Sequence, residues 1–436
     1  MTKKENILLF KNQQLDEIYY KTEHKSGLTI YFFPKERQSS CAILATECGS
    51  IDNCFTDENG KTVKIPDGVA HFLEHKMFEN EGGISVEEKF SSLGADPNAF
   101  TKWDATAYFF NCTDNEKFYP CLDALIDFVM TPAFTDDSVE REKGIIGQEI
   151  LMCEDDPYDR CFLNLVGGLY EKNPVRIDIA GSISSISKIN ADLLRNCHKR
   201  FYTPANMMLI VCGDLSMERI LDSVNAFFAE EKYLNNKKNQ RKPIKEKKSA
   251  KSSHVSVNMA VERPLFSIGF KDNTAPGEGL ALLKRQMLAE ILNELIFSSS
   301  GELYNDLYKR GIMTTPFSFG TEYGKSLAMV YAGGECDDPD LVEKEIIAHI
   351  ERLKCEGVSR EDFARRKKMT FSSGVKLFDS TWDIASAVLD DALLGVEIFD
   401  EFEIINELTA EDADELLRKL YCNKNRTFST IIPKNK

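Results

Sequence analysis

Two pairs of look-alike segments in this 436-residue chain are separated by one spacing. HFLEHKMF begins at His71 and EILNELIF at Glu290, 219 positions apart (290 − 71). ADLLRNCHKRFYTPAN ends at Asn206 and EDADELLRKLYCNKN carries Asn425, again 219 apart (425 − 206), with Tyr202 falling on Tyr421. Two separated matches at a fixed offset point to an internal duplication. A duplicated chain of this length folds as two similar units, each of ordinary domain size.

The duplication is asymmetric. His71, Glu74 and His75 fall on Glu290, Asn293 and Glu294. One half carries a histidine constellation, and the other carries the same helix without it.

The expected fold class is α+β: two duplicated α/β halves, each a mostly antiparallel sheet packed with helices on one side. Residues 28–33 and 41–46 read as strands, and the turn-like stretch between them suggests an antiparallel pair. Helical spacing follows over 67–79, and over 86–93 with a stop at Gly94. Residues 99–110 read as strands, 118–130, 137–153 and 191–201 as helices, and 207–212 as a buried strand. Between Lys237 and Lys251 apolar residues almost vanish and eight lysines and arginines stand against Glu246 alone. Such a run reads as a solvated linker rather than a basic binding patch. The expected domains are therefore 1–232, a Lys-rich linker at 233–254, and 255–436.

Charge narrows the partners. There are 54 basic and 70 acidic residues, a net charge of −16, which repels phosphate backbones and argues against nucleic acid. The twelve cysteines include no CxxC pair and scatter among apolar residues, as reduced buried thiols do. The N-terminal Ile7–Phe10 run is too short for a signal-peptide core, and no stretch approaches the roughly 20 apolar residues of a membrane helix. The expectation is a soluble cytoplasmic protein with no membrane association.

The chemistry concentrates in His71-Phe72-Leu73-Glu74-His75. On a helix, residues four apart lie on one face, so both imidazoles can converge on one ion, as tetrahedral zinc requires. Glu74 reaches the same region and can take a proton from metal-activated water. HxxEH is the reverse of the HExxH zinc motif. A catalytic zinc needs a third protein ligand. Glu142 and Glu149, seven apart on the helix 137–153, share a face; Glu149 is the preferred ligand, with Cys153 and Glu154 as competitors, and Glu142 can orient a ligand from behind.

These residues resemble the pitrilysin/insulinase family of zinc peptidases, especially its half-length bacterial members related to the mitochondrial processing peptidase. The resemblance lies in GVAHFLEHKMFE (68–79), GADPNAFT (94–101) with Thr106 and Tyr108, EREKGIIGQEI (140–150), NPVRIDIAGS (173–182) and FYTPANMMLIVCGD (201–214). It covers most of the first half and reaches the second by layout. By resemblance, His71, His75 and Glu149 bind one Zn2+ per chain, Glu74 is the general base, and Glu142 is an essential acidic neighbour. Asn98, Ala99, Phe100 and Thr101 resemble the edge strand to which a peptide substrate adds.

The resemblance further implies a zinc metalloendopeptidase that works in a chamber built from four related units, two of them supplied by a second subunit. Family members bring an arginine and a tyrosine from a second-half domain to the transition state. Residues 302–312 show no clear Arg…Tyr pattern, and Tyr308 and Arg310 are left unassigned. A heterodimer with a related chain lacking the zinc motif is thus favoured over a homodimer. The alternative is a structural or weakly active subunit of such a heterodimer.

Overall fold

The computed structural model describes residues 6–56, 61–79, 85–230, 233, 238–239, 241 and 244–434. Strands buried along their whole length sit at or beside the sheet centres, and those with exposed residues lie toward the edges, since a central strand is covered on both faces.

The first unit is built on seven strands: β1 (Leu8–Asn12), β2 (Glu17–Glu23), β3 (Thr29–Pro34), β4 (Ser40–Thr46), β7 (Ala95–Thr101), β8 (Thr106–Cys112) and β9 (Met207–Gly213). A two-stranded ribbon, β5 (Cys54–Thr56) and β6 (Thr62–Lys64), stands apart. The sheet order is β1-β2-β3-β9-β4-β8-β7. All pairs are antiparallel except β3 with β9. The expected pairing of β3 with β4 is corrected here: β9 lies between them. β9 is buried along its whole length, so the centre of the sheet takes the most apolar strand, although it arrives last in the chain.

Helices α1 (Val69–Met77), α2 (Val86–Leu93), α3 (Asn115–Met130) and α4 (Asp136–Asp155) belong to this unit's chain, with α4 ending just past its boundary. α2 starts where Ser85 accepts the N–H of Glu88 and stops at Gly94, whose φ of 76° is left-handed.

The second unit repeats the plan. Its strands are β10 (His254–Met259), β11 (Leu265–Lys271), β12 (Ser318–Gly324), β13 (Leu327–Glu335) and β14 (Arg426–Pro433). Their order, β10-β14-β11-β13-β12, reproduces β3-β9-β4-β8-β7, including a single parallel pair, β10 with β14. Matching residues do matching work. Asn206 Nδ2 caps the carbonyl of Phe201 at 2.9 Å, and Asn425 Nδ2 caps that of Leu420 at 3.3 Å.

The compact units do not follow a single cut at the linker. The first comprises the described residues of Met1–Ile150, Asp178–Lys242 and Val375–Leu393; the second those of Leu151–Ile177, Pro243–Gly374 and Leu394–Lys436. Each unit thus takes one helical segment from the other half of the chain. In the first unit, Trp382 of the helix Thr381–Leu394 lies 4.3 Å from Phe109 of β8, ring centre to ring centre. In the second, Phe162 of α5 (Pro157–Leu169) lies 4.9 Å from Tyr331 of β13. Both cover the sheet face opposite the main helical layer.

The linker expectation meets the structure in part, because Lys237 and Lys242 lie outside the described residues. Lys245, Lys247 and Lys248 are exposed. Arg241 is not simply solvated: it grips Asp52 with two hydrogen bonds of 2.8 and 2.7 Å within the first unit. Within the second unit, Glu246 accepts the backbone N–H groups of Glu171, Lys172 and Asn173.

Candidate metal centre and active site

α1 enters the site through a tight approach. Gly68, at its N-cap, has φ of 91°, and a Cβ there would meet the Ala180 carbonyl at 2.4 Å. Gly181, with φ of 79°, is held as closely against the Asp67 carbonyl at 2.5 Å. Only glycine fits either place without strain. The helix buries Val69, Phe72 and Leu73 in the core, which turns His71, Glu74 and His75 toward α4 and the end of β7.

The imidazoles of His71 and His75 lie 4.6 Å apart, centre to centre. His71 Nε2 is 3.5 Å from Glu149 Oε1, and His75 Nε2 is 3.6 Å from Glu149 Oε2. Ligand atoms on a tetrahedral zinc, each about 2.1 Å from the ion, stand about 3.4 Å apart. The three side chains are spaced as such ligands are. They are the one cluster of metal-binding groups among the described residues, all ligand atoms lying within 4.8 Å of one another. Cys153 and Glu154, the competing candidates, are outside it, and Glu154 is exposed on the last turn of α4.

Glu142 stands behind His75. Its Oε1 is 3.1 Å from His75 Nδ1, so the carboxylate accepts, Nδ1 carries the proton, and Nε2 is left with its lone pair toward Glu149. Burial, then the charge of His75, pushes His71 down to about 4, so this ring is neutral at pH 7. Its Nδ1 is buried with no hydrogen-bond partner. Burial also opposes a charge on His75, but the Glu142 hydrogen bond and the charges of Glu74, Glu142 and Glu149 outweigh it and raise this group. Burial would raise Glu142; its bond to His75 and the charge of Lys76 prevail and hold it low. A neutral His71, a His75 oriented by a carboxylate and a facing carboxylate make a donor set that fits zinc.

Glu74 is set apart from these three side chains. Its Oε2 accepts a 2.6 Å hydrogen bond from Thr101 Oγ1, the last residue of β7. Burial raises its carboxyl above the ordinary range, against the pull of that bond. A carboxylate shifted toward neutrality is suited to general-base work.

Asn98, Ala99, Phe100 and Thr101 all lie on β7, which is the last strand of its sheet. Among the described residues its outer edge meets no further strand. Ala99 and Thr101 face the helical layer; Phe100 faces the other way, 6.0 Å from Phe109. The residues named from the sequence lie close together here, but two relations were not foreseen: the Thr101–Glu74 bond and the presence of Lys76. The second left a signal, since a lysine occupies the next place on the apolar stripe Val69, Phe72, Leu73.

The second unit has a cleft at the corresponding place, about 290 Å³, lined by Glu290, Asn293, Glu294, Thr321 and Arg366 among others. Glu294 is paired with Arg366 at 3.0 Å. Asn293 gives its amide to the carbonyls of Gly320 and Tyr331 and accepts from Tyr421.

Known proteins fit this pattern. The sequence model for insulinase (peptidase family M16) matches residues 39–182, and that for the peptidase M16 inactive domain matches 188–370. An uncharacterized zinc protease of Bacillus subtilis, YmfH, is 35% identical over 427 residues, 97% of this chain and 98% of its own. A second from the same organism, YmxG, is 26% identical over 81% of this chain and 86% of its own. Among solved structures, an M16-like chain from Alicyclobacillus acidocaldarius aligns over 100% of both chains with a TM-score of 0.89 and 27% identity. Pitrilysin shares the fold, with a TM-score of 0.73 and 16% identity over 99% of this chain but 47% of its own. These matches, joined to the duplicated fold, define the class as M16-type peptidases. The chain belongs to that family, the insulinase or pitrilysin peptidases, as a half-length member.

Proposed function

We propose that the protein is a zinc-dependent endopeptidase whose metal is held by His71, His75 and Glu149. The observation that carries this reading is the pair of imidazole Nε2 atoms facing one carboxylate at 3.5 and 3.6 Å, with Glu74 beside them at the end of an open sheet edge. Zinc bound there supplies a Lewis acid for the scissile carbonyl and lowers the pKa of a coordinated water.

The remaining chemistry belongs to the chain's own residues. Thr101 holds Oε2 of Glu74, leaving Oε1 to take the proton of the attacking water and return it to the leaving amine. Glu142 keeps His75 in the tautomer that presents Nε2. The outer edge of Asn98–Thr101 meets no further strand among the described residues and can add an extended peptide, with Asn98 Oδ1 holding the Ala99 N–H at 2.8 Å until the peptide takes its place.

The rest of the reading concerns assembly and place. In this reading a second subunit completes the chamber; the chain aligns over 47% of pitrilysin. Arg310 is paired with Asp306 and Glu345, each at 2.8 Å, and this reading takes no transition-state donor from it. A related partner chain that brings the transition-state donors is therefore favoured over a second copy. Eight of the twelve cysteines are buried, which suits reduced thiols in the cytoplasm. No helix among the described residues is long and apolar enough to cross a membrane.

The test pairs metal analysis with peptide cleavage in Glu74→Gln. Zinc is expected to stay near one per chain while cleavage falls about 10²–10⁴-fold. Unchanged cleavage refutes the mechanism, and absence of zinc from wild type refutes the metal centre.

A further inference from the structure

Lys76 follows the second histidine, yet it lies on the buried stripe of α1 and its side chain is 0% exposed. An ammonium so placed is costly unless it is paired and hydrogen-bonded. Its Nζ reaches Glu79, the Ser138 carbonyl at 3.3 Å and Glu142 Oε2 at 3.4 Å. Ser138 and Glu142 are one turn apart on α4, the helix that also carries Glu149. The two oxygens of Glu142 are thereby divided: Oε2 toward the buried cation, Oε1 on His75 Nδ1.

We propose that Lys76 is a positioning residue of the metal centre: its buried ammonium fixes Glu142, and Glu142 in turn aims His75 Nε2 at the ion. The proposal rests on the zinc reading above. A carboxylate held at one oxygen only can rotate about its side-chain torsions and release the imidazole. Held at both, it fixes ring orientation and tautomer together. Lys76 also ties α1 to α4, so the helix with two ligands keeps its spacing from the helix with the third. An apolar residue of similar length would fill the volume but leave Glu142 anchored at one end.

The test is a cycle of zinc affinities measured by chelator competition, with Lys76→Met, Glu142→Gln and the double variant. Each single variant is expected to bind zinc about 10- to 100-fold more weakly, the usual cost of losing a group behind a ligand. The double variant is expected to match Glu142→Gln within about twofold, because Lys76 acts through Glu142. The visible spectrum of the cobalt-loaded protein, which reports ligand geometry, is expected to change in both single variants.

Wild-type affinity and an unchanged cobalt spectrum in Lys76→Met overturn the proposal. So does a tenfold further loss in the double variant, which marks Lys76 as packing alone. If Lys76→Met does not fold, the double variant decides: it removes both partners, leaves neither charge orphaned, and still must match Glu142→Gln. Failure of wild type to bind zinc or cobalt overturns the underlying metal reading, a distinct result from wild-type binding with an indifferent Lys76.

Discussion

The two units share five strands in one order and an edge strand beside a helix, yet among the described residues only the first brings two histidines and a carboxylate together. In the first, side chains are held from behind: Glu142 grips His75 by its far nitrogen, Thr101 grips one oxygen of Glu74, and the reactive atoms stay open. In the second, the corresponding side chains spend their polar atoms on one another. Arg366 takes Glu294, and Asn293 is used up by two carbonyls and a tyrosine. A fold becomes a site when polar groups are oriented but left unsatisfied toward a ligand. It becomes scaffold when they satisfy each other.

The difference can be attacked directly. The largest effect is expected at Glu149→Gln, which removes the carboxylate proposed to bind the ion: zinc content is expected to fall from about one per chain toward none, and cleavage with it. Arg366→Met in the second unit is expected to leave zinc content unchanged. Zinc retained by Glu149→Gln would move the third ligand to another residue.

The two exchanged helical segments come next. Trp382→Ala and Phe162→Ala each strip a ring from the outer face of a sheet, and each is expected to lower unfolding free energy by roughly 2–4 kcal/mol, below the full cost for a completely buried aromatic. Only Trp382→Ala is expected also to raise KM, because Trp382 supports Phe109, which supports Phe100 on β7. Equal KM values in the two variants would separate β7 from substrate.

A smaller effect concerns pH. His198 is buried against the Val129 carbonyl, and burial lowers it from 6.5 to about 4. Above pH 6.5 both folded and unfolded chains hold this ring neutral, and it contributes nothing. As pH falls below 6.5 the unfolded chain binds the proton first, so stability drops until about pH 4, where the folded ring also charges. Between pH 7 and pH 5 the loss is about 2 kcal/mol, and His198→Asn is expected to remove that part of the slope in urea titrations. His349 of the second unit, lowered to about 4 by burial and then by Arg352, carries the same acid liability, so the slope does not distinguish the units.

The smallest expected effect is none. Glu290→His, Asn293→Glu and Glu294→His together write HxxEH into the second unit, but the side chain that now meets residue 294 is the cationic Arg366, not a carboxylate. Zinc content is expected to remain at one per chain. A second equivalent would show that the motif alone suffices.

Much of the fold was legible. The helix Ala191–Phe201 and the strand from Met207 follow their apolar periods, because their burial is set by local pattern. The β3–β4 pairing was misjudged because a short connection resembles a hairpin, and nothing local announces that β9 will come between them. The exchanged helices were invisible for the same reason: an amphipathic helix states that it covers a face, not whose.

The sequence by itself determined that there are two similar units, that only one carries HxxEH, and that the family is that of the insulinase peptidases. A fixed offset and an i, i+4 histidine pair are properties of the chain, and helical geometry does the rest. Tertiary structure alone decided that Glu149 rather than Cys153 or Glu154 meets the histidines. It also divided Glu142 between His75 and Lys76, and set Thr101 on Glu74. Those relations join residues tens of positions apart. They depend on how α4 and β7 pack against α1, which no local spacing encodes.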